Sequence, residues 1–519
     1  MSRSEKFLAN INSGYTFKKE SFVIGGAMLD GKVVPGAQVK IPLRTLNRHG
    51  LIAGATGTGK TKTLQVLAEQ LSCSGIPCLL MDLKGDLSGL AQPGTLNDHI
   101  TWRHGEIGIP YESMPMPVEL LTLSKEKGVK LRATVSEFGP VLFSKILDLN
   151  DTQGGVMALI FKYCDDHDMP LVDLKDIKQV LRFIMTPEGK KLIENEYGLV
   201  STASIGAISR KIIEIEQQGA DTFFGERSFD VDDLVRKKDG KGVISIIRLT
   251  DIQDKPKLFS TFMLSLLAEV YSTFPEQGDK DVPKLCIFID EAHLVFKEAS
   301  SALMDQIEAI IKLIRSKGVG VFFCTQNPTD VPDAVLSQLG LKVQHALRAF
   351  TAKDRKSINK TAENYPETEF YKTDELLTKL GIGEAFITAL NEKGIPTPLA
   401  ATLLVAPKTR MDILTAKEIN EVVANSELAD HYNKEIDKES AYEILKVKMD
   451  KARAEEHKQE MAAQKTKAEK AVTGTRRSSK KESTFLESAS KNTMVRQLGR
   501  TIFRELARGI LGALGVKKR

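Results

Sequence analysis

The sequence of 519 residues predicts an α/β fold with a mostly parallel sheet that is buried on both faces. Two observations lead to this prediction. Runs such as "KLCIFID" and "GVGVFFCT" are apolar at nearly every position, which is typical of strands covered on both sides. Between these runs, apolar residues recur at the spacing of a helix. Strands that alternate with helices in this way usually pair in parallel.

The chain begins with a stretch of a different kind. Residues 1–46 contain strand-like pieces broken by the turn-forming sequence "GGAMLDGKVVPGA", so we expect a small β-rich N-terminal segment. Residues 47–125 form the first part of the α/β core. They contain a strand that ends at Ala53, a helix from Lys60 to about Ser74 and the strand "IPCLLMDL".

A helical region then interrupts the alternation. Residues 126–236 have apolar positions at helical spacing, as in "GPVLFSKILDLNDTQGGVMALIFKYC", and we expect an all-α insertion. The core resumes in residues 237–410 with the strands "GKGVISIIRL", "KLCIFIDEAH", "GVGVFFCTQN", "GEAFITALN" and "AATLLVAP". Helices are expected there at about 258–274 and 302–317.

The end of the chain carries the positive charge. From Lys448 to Arg519 there are 19 Lys and Arg against 8 Asp and Glu, in a chain whose net charge is +5. We expect a charged helical extension in residues 411–470 and a flexible linker, containing "TRRSSKKES", in residues 471–490. Residues 491–519 have a basic and an apolar stripe and predict an amphipathic helix.

The composition excludes several classes of protein. No stretch approaches the ~18 consecutive apolar residues of a transmembrane helix, and the N-terminus lacks the apolar core of a secretory signal. Five cysteines are scattered without CxxC spacing, which is typical of thiols in a reducing compartment. We therefore expect a cytoplasmic protein without a transmembrane segment.

A glycine-rich loop carries the first chemical signal. The sequence "GATGTGKT" matches GxxxxGK[ST] in every fixed position, follows a predicted strand and precedes a predicted helix. Backbone N–H groups of such a loop bind phosphate oxygens, Lys60 reaches the β- and γ-phosphates, and the Thr61 hydroxyl binds Mg²⁺. The residues expected to contact ATP are Gly54, Ala55, Thr56, Gly57, Thr58, Gly59, Lys60, Thr61 and Lys62.

Two carboxylates follow a later strand. In "LCIFIDEAH", Asp290 is expected to bind the hydrated Mg²⁺ ion, and Glu291 to take a proton from the attacking water or orient it. A carboxylate beside the metal-binding aspartate favours an ATP hydrolase over a small-molecule kinase. The alternative is an acidic start of a helix, in which both residues only cap the helix.

The strand "VGVFFCTQN" ends in a third polar group. An amide at the end of a strand beside the hydrolytic residues suits a sensor of the γ-phosphate, and we assign this role to Gln326. The alternative is a cap of the turn that begins at Asn327 and Pro328. The sequence "DLKGD" after the second core strand allows either a plain turn or a role for Asp82 near the nucleotide.

These motifs together resemble the HerA/FtsK group of motor ATPases, and among them the bacterial HerA-like proteins of the YjgR type. The resemblance rests on "HGLIAGATGTGKT", "LLMDLKGDLSG", "IFIDEAH" and "GVGVFFCTQNPTDVP", and it spans roughly residues 44–407. It implies a RecA-like P-loop core and a homohexameric ring with ATP bound between subunits. An arginine of the neighbouring subunit should then reach the γ-phosphate, and Arg348 and Arg355 are the candidates. The alternative for each is a surface charge or an ion pair with Asp354.

The resemblance predicts an ATP-driven translocase or helicase that acts on duplex DNA. No zinc-finger spacing or helix-turn-helix pattern is recognisable, so we expect contacts with the DNA backbone that do not depend on sequence. The first alternative is a regulatory or assembly ATPase that switches a protein partner. The second is a secretion- or conjugation-type pump motor, against which the missing membrane segment counts. Residues 491–519 suit three partners: the protein itself or a neighbouring subunit, a membrane surface, and DNA.

Overall fold

A sheet of twelve strands organises the computed structural model, which describes residues 1–250, 256–278, 280–297, 301–349, 351–434, 436 and 439–473. In chain order the strands are β1 (Ser21–Leu29), β2 (Lys32–Pro42), β3 (Gly50–Ala53), β4 (Cys78–Asp82), β5 (Val118–Thr122), β6 (Val129–Lys130), β7 (Lys237–Lys238), β8 (Lys241–Gly242), β9 (Ile244–Arg248), β10 (Leu285–Ile289), β11 (Val319–Thr325), β12 (Leu341–His345), β13 (Glu384–Thr388) and β14 (Ala400–Leu404). Strands β7 and β8 form a separate small hairpin.

Helices cover both faces of the sheet. They are α1 (Arg3–Gly14), α2 (Lys60–Cys73), α3 (Asp98–Ile107), α4 (Val135–Ile146), α5 (Asp151–Asp166), α6 (Leu174–Ile184), α7 (Pro187–Glu196), α8 (Thr202–Gln217), α9 (Pro256–Thr273), α10 (His293–Lys297), α11 (Ser301–Ile314), α12 (Asp333–Leu336), α13 (Ala352–Ala362), α14 (Thr373–Leu377), α15 (Ala416–Ala424), α16 (Glu427–Tyr432) and α17 (Ala441–Thr473). Short 3-10 helices lie at Leu43–Arg48, Ser88–Ala91, Ala220–Thr222, Val231–Val235, Arg315–Lys317 and Pro328–Asp330.

The strand order is β2-β1-β14-β13-β12-β3-β11-β10-β4-β9-β5-β6. From β12 to β6 all neighbouring strands are parallel. The other four strands continue the sheet in antiparallel pairing. The predicted mostly parallel α/β fold is confirmed, and β3, β10 and β11 end at the same edge of the sheet because they run in one direction.

The apolar strands contribute side chains to two separate hydrophobic cores. In β10, Leu285, Ile287 and Ile289 pack into a core shared with the helices of the insertion. Cys286 and Phe288 point to the opposite face and pack into a core that contains α1 and α2. Every residue of this strand is therefore buried, which explains why its sequence is apolar throughout rather than alternating.

The N-terminal region contains one element that the sequence prediction lacked. It begins with α1, a helix that the apolar pattern did not predict, and its strands β1 and β2 belong to the twelve-stranded sheet. Ser2 and Glu5 form a reciprocal capping box at the start of α1. The spacing S-x-x-E was a usable signal for this helix.

The helices expected in residues 126–236 are present as α4 to α8, and the domain boundaries themselves stay predictions. The chain divides into two compact units, Met1–Asp450 and Lys451–Arg519. The amphipathic helix expected at 491–519, and the expected linker apart from its first residues in α17, lie outside the described residues.

Within the part of the chain that the structure describes, no helix is both long and apolar enough to span a membrane.

A buried histidine joins three elements at the start of β3. His49 has a backbone φ of +60° and is 2% exposed. Its Nε2–H donates to the carbonyl of Ile311 at 2.8 Å, and its Nδ1 accepts the N–H of Val321 at 3.0 Å. Because Nδ1 accepts, it carries no proton and the ring is neutral, and burial lowers the pKa of His49 to about 4.

We predict that His49 makes the folded protein less stable in acid. An unfolded histidine takes up a proton near pH 6.5, whereas folded His49 takes it up only near pH 4. Between these values the unfolded state binds more protons, so the free energy of unfolding falls by about 3 kcal/mol as the pH drops from 6.5 to 4. The His49→Gln variant should show a shallower pH dependence in urea unfolding, because its amide donates and accepts without titrating. The exposed His99 provides the control, and an equal loss of slope in His99→Gln would contradict the prediction.

Candidate functional site

The glycine-rich loop lies between the ends of two strands. Its Gly54 N–H donates to the carbonyl of Thr325 at 3.3 Å, and its Ala55 N–H donates to the carbonyl of Ala346 at 2.8 Å. Gly54 has a φ of +153°, and a Cβ atom there would lie 2.5 Å from the Cβ of His345. The first glycine is therefore required by both its backbone conformation and its close contact.

The loop leads directly into α2. Gly59, with a φ of +110°, is the N-cap residue of this helix and offers no side chain to its first N–H groups. These N–H groups and the positive end of the helix dipole favour an anion at this point. Thr56 and Gly57 are exposed at the tip of the loop, and Thr61 is half-buried in the first turn of α2.

Lys60 lies over the loop that precedes it. Its side chain is buried, and Nζ donates to the carbonyl of Ala55 at 3.2 Å. Burial lowers the pKa of Lys60, and the neighbouring Lys84 lowers it further, whereas Glu291 and Asp290 act in the opposite direction. The predicted phosphate-binding lysine and the two predicted carboxylates thus share one electrostatic environment.

The two carboxylates follow β10, which is two strands away from β3. Asp290 is 4% exposed, and burial raises its pKa to about 7 although Lys84 opposes this effect. Its Oδ2 has no hydrogen-bond partner within the described residues. Glu291 has a φ of +47°, an uncommon backbone conformation for a residue with a side chain. Its carboxylate forms an ion pair with Lys84, and its Oε2 lies 3.2 Å from Nδ1 of His293.

These groups fit a hydrated magnesium ion. Mg²⁺ prefers hard oxygen ligands and usually takes only one or two from the protein, with phosphates and water supplying the rest. The Thr61 hydroxyl and the Asp290 carboxylate are donors of this type, and the buried Oδ2 atom is free to accept a cation.

The turn after β11 is stabilised by residues other than Gln326. The Thr325 hydroxyl donates to Asp330 at 2.6 Å, and the Asn327 N–H donates to the same carboxylate at 3.1 Å. Gln326 itself is exposed and faces a cleft of about 690 Å³. His293 lines the same cleft, so Gln326 is near the residue that contacts Glu291. Capping of the turn, the alternative considered for Gln326, is carried by Asn327 and Asp330.

The sequence "DLKGD" combines a turn with a contact to the carboxylates. The Asp82 carboxylate accepts the N–H groups of Gly85, Asp86 and Leu87 at 2.7, 3.2 and 3.1 Å. Burial raises the pKa of Asp82 to about 6. Asp82 therefore shapes the turn, and Lys84 extends from it to Glu291. Sequence reasoning missed Lys84, because its partner Glu291 belongs to a distant segment of the chain.

Arg348 and Arg355 lie beyond β12. Both are exposed, and neither forms an ion pair with another described residue. Arg348 is two residues beyond Ala346, whose carbonyl accepts the N–H of Ala55, so its backbone is close to the phosphate loop of its own chain.

A strap from the C-terminal region, residues 408–411, crosses α2. The Lys62 ammonium donates to the carbonyl of Met411, so this side chain, expected at the phosphates, is directed to the strap. The buried Glu69 carboxylate accepts the N–H groups of Lys408 at 2.8 Å and Thr409 at 2.9 Å. Helix α2 is thereby tied to the start of the C-terminal extension. Nothing in the sequence pattern predicted the strap.

Comparisons with known proteins give one family and one fold. The family model described as "Helicase HerA-like C-terminal" matches residues 28–519. The "DNA double-strand break repair helicase HerA" of Sulfolobus acidocaldarius is 23% identical over 404 residues, which cover 72% of this chain and 69% of that protein. The protein of the same name from Sulfurisphaera tokodaii is 24% identical over 375 residues, covering 70% and 66%. The chain thus spans about two thirds of the length of these relatives.

Among solved structures, the "bacterial conjugative coupling protein TrwBdeltaN70" is similar in its unbound monoclinic form. The TM-score is 0.51 at 14% identity, and the match covers 78% of this chain and 95% of that one. Its trigonal form in complex with sulphate has a TM-score of 0.50 at 15% identity, over 78% and 94%. The predicted RecA-like P-loop core is confirmed at the level of the fold.

We predict that Glu69 is the main attachment of the strap. The Glu69→Ala variant leaves the N–H groups of Lys408 and Thr409 without their acceptor, and we expect the free energy of unfolding to fall by about 3 kcal/mol. Urea unfolding measures this change, and hydrogen exchange at the two amides should accelerate. The control is Glu112→Ala, which removes an exposed partner 3.5 Å from the Lys408 ammonium and should change stability by less than about 0.5 kcal/mol. Equal effects of the two variants would contradict the role of Glu69.

Proposed function

We propose a motor function on the premise that the chain belongs to the family described as Helicase HerA-like C-terminal. In this proposal the protein hydrolyses ATP and uses the energy to move along duplex DNA as a ring of six subunits. One observation carries the proposal: the phosphate loop, Asp290, Glu291 and Gln326 all lie at the ends of parallel strands at one edge of the sheet. DNA as the substrate is supported by the two relatives, whose names describe a DNA double-strand break repair helicase.

The residues around α2 would bind the triphosphate. Its uncapped N–H groups and Lys60 would neutralise phosphate oxygens, and Thr61 and Asp290 would hold the magnesium ion that accompanies them. The ion, when bound, withdraws negative charge from the phosphates. Because the carboxylates follow β10 and Lys84 follows β4, these residues would surround the γ-phosphate end of the nucleotide.

Glu291 then accepts a proton from the water that attacks the γ-phosphate. Its carboxylate is nearly excluded from solvent, which keeps it from being hydrated by other water molecules. His293 contacts one of its oxygens and orients it. Gln326, exposed in the adjoining cleft, orients the water or contacts the γ-phosphate.

The first test separates binding from hydrolysis. We expect Lys60→Ala to lose ATP binding, because no other side chain of the loop neutralises the β- and γ-phosphates. Glu291→Gln should bind ATP but turn over about 10²- to 10⁴-fold more slowly, because an amide does not accept the proton. Calorimetric binding and phosphate release measure the two effects, with the exposed Lys125→Ala as a control that should behave as the wild type. Wild-type turnover in Glu291→Gln would refute the assignment.

The same assay tests the DNA substrate. Duplex DNA of any sequence should stimulate ATP hydrolysis by the wild type, and the stimulation should weaken steeply with salt because phosphate contacts release counterions. Equal rates of ATP hydrolysis with and without duplex or single-stranded DNA would favour the alternative, a regulatory ATPase that switches a protein partner.

The ring predicts an arginine that acts between subunits. If Arg348 reaches the γ-phosphate of the neighbour, Arg348→Ala and Lys60→Ala are each inactive, but mixing them before assembly restores some turnover. The restored interfaces combine the intact phosphate loop of one chain with the intact arginine of the other. A parallel mixture with Arg355→Ala identifies which arginine acts. Full turnover by a monomer, measured by light scattering beside the assay, would rule out the ring.

A further inference from the structure

Lys84 has a position that ATP hydrolysis does not by itself explain. We propose that Lys84 is a positioning residue that restrains the Glu291 carboxylate until a γ-phosphate is bound, and then moves to that phosphate. The inference rests on the proposed ATPase function and assigns a further residue to it. It sets the order of events at the site. The Glu291 carboxylate is released to accept a proton only after a nucleotide with a γ-phosphate has bound.

The contact itself is the first argument. The Lys84 ammonium forms an ion pair with Oε1 of Glu291, while Oε2 of the same carboxylate faces Nδ1 of His293 at 3.2 Å. The ammonium group therefore lies directly against the carboxylate that is proposed to accept the proton of the attacking water. The Glu291 side chain is 8% exposed and the Lys84 side chain 40%. Lysine is thus the partner with room to move.

The backbone that carries Lys84 is fixed. The Asp82 carboxylate accepts three successive N–H groups of the turn, from Gly85, Asp86 and Leu87. Gly85 has a φ of +76°, and a Cβ atom there would lie 2.9 Å from the Cγ2 of Thr250, so the turn is also packed closely. A movement of the ammonium group therefore requires only rotations of the flexible lysine side chain, and the turn stays where it is.

The surrounding charges favour movement of the Lys84 ammonium group toward a γ-phosphate. Lys84 is close enough to Lys60 to lower the pKa of that buried ammonium group, so the two cations approach the same region. A γ-phosphate bound by Lys60 would bring about two negative charges into this region, against one on Glu291. The phosphate then competes with Glu291 for Lys84. A diphosphate ends before this point and competes much less. No covalent bond changes in this step, and the proton stays on the lysine.

A purely structural ion pair would predict a different outcome. If Lys84 only neutralised a buried carboxylate, its removal would destabilise the protein without distinguishing one nucleotide from another. In the restraint that we propose, Lys84 strengthens triphosphate binding by contacting the γ-phosphate, whereas Glu291 weakens it by holding Lys84. Their effects on affinity should then depend on the γ-phosphate and on each other.

The test measures the affinities of a non-hydrolysable ATP analogue and of ADP, both with Mg²⁺, by calorimetry on the full chain. We expect Lys84→Met to bind the analogue about tenfold more weakly and ADP within twofold of the wild type. Glu291→Gln should bind the analogue several-fold more tightly, because Lys84 no longer has to leave a carboxylate. The double variant should match Lys84→Met alone, and Lys84→Arg should recover most of the affinity. Lys125→Met, which removes an exposed lysine elsewhere, should match the wild type.

Several outcomes overturn the inference. An equal loss of analogue and ADP affinity in Lys84→Met would assign it a general electrostatic role. Unchanged analogue affinity in Glu291→Gln, or additive effects in the double variant, would show that the two residues do not compete. If Lys84→Met does not fold, the same comparison is made with Lys84→Gln and Glu291→Gln, whose folding the melting temperature checks. Failure of the proposed function is distinct, because the wild type would then bind neither nucleotide.

Discussion

Two backbone hydrogen bonds fix the phosphate loop, and the rest of the site depends on them. Gly54 is bonded to the end of β11 and Ala55 to the residue after β12, so the loop cannot shift relative to either strand. Because β10 pairs in parallel with β11, its carboxylates follow at the same edge of the sheet. The parallel sheet thus brings together Lys60 and Asp290, which are about 230 residues apart in the sequence, through the placement of its strands alone.

The site places three charged side chains out of contact with most of the solvent. Lys60, Asp290 and Glu291 are each less than 10% exposed, and only Lys84 reaches solvent. Buried charges are costly unless they are paired, and here two cations face two carboxylates at close range. Burial outweighs the opposite charges in both groups, because it raises the pKa of Asp290 to about 7 and lowers that of Lys60. In the proposed function, magnesium and the triphosphate would supply charges of both signs to these groups.

The sequence predicted best what depends on neighbours along the chain. The phosphate loop and the strands that surround it could be recognised because glycine placement and unbroken apolar runs are local properties. The helix α1 was not predicted although Ser2 and Glu5 carry its capping signal, because it buries only Phe7 and Ile11 and so has little apolar periodicity. Lys84 and the strap could not be found in this way. Their roles arise from contacts between segments that are hundreds of residues apart, and no local pattern records them.

The strap also has a consequence for how this family of chains could diverge. Glu69 recognises the strap mainly through the N–H groups of Lys408 and Thr409, which almost any amino acid would supply. The side chain at position 408 can therefore vary among related sequences. Proline is excluded at both positions because it lacks the backbone N–H that donates to Glu69. Threonine or serine is favoured at position 409, whose hydroxyl also contacts Glu69. Among related sequences, we expect a constant glutamate at the position of Glu69 and a strap whose amino acids vary.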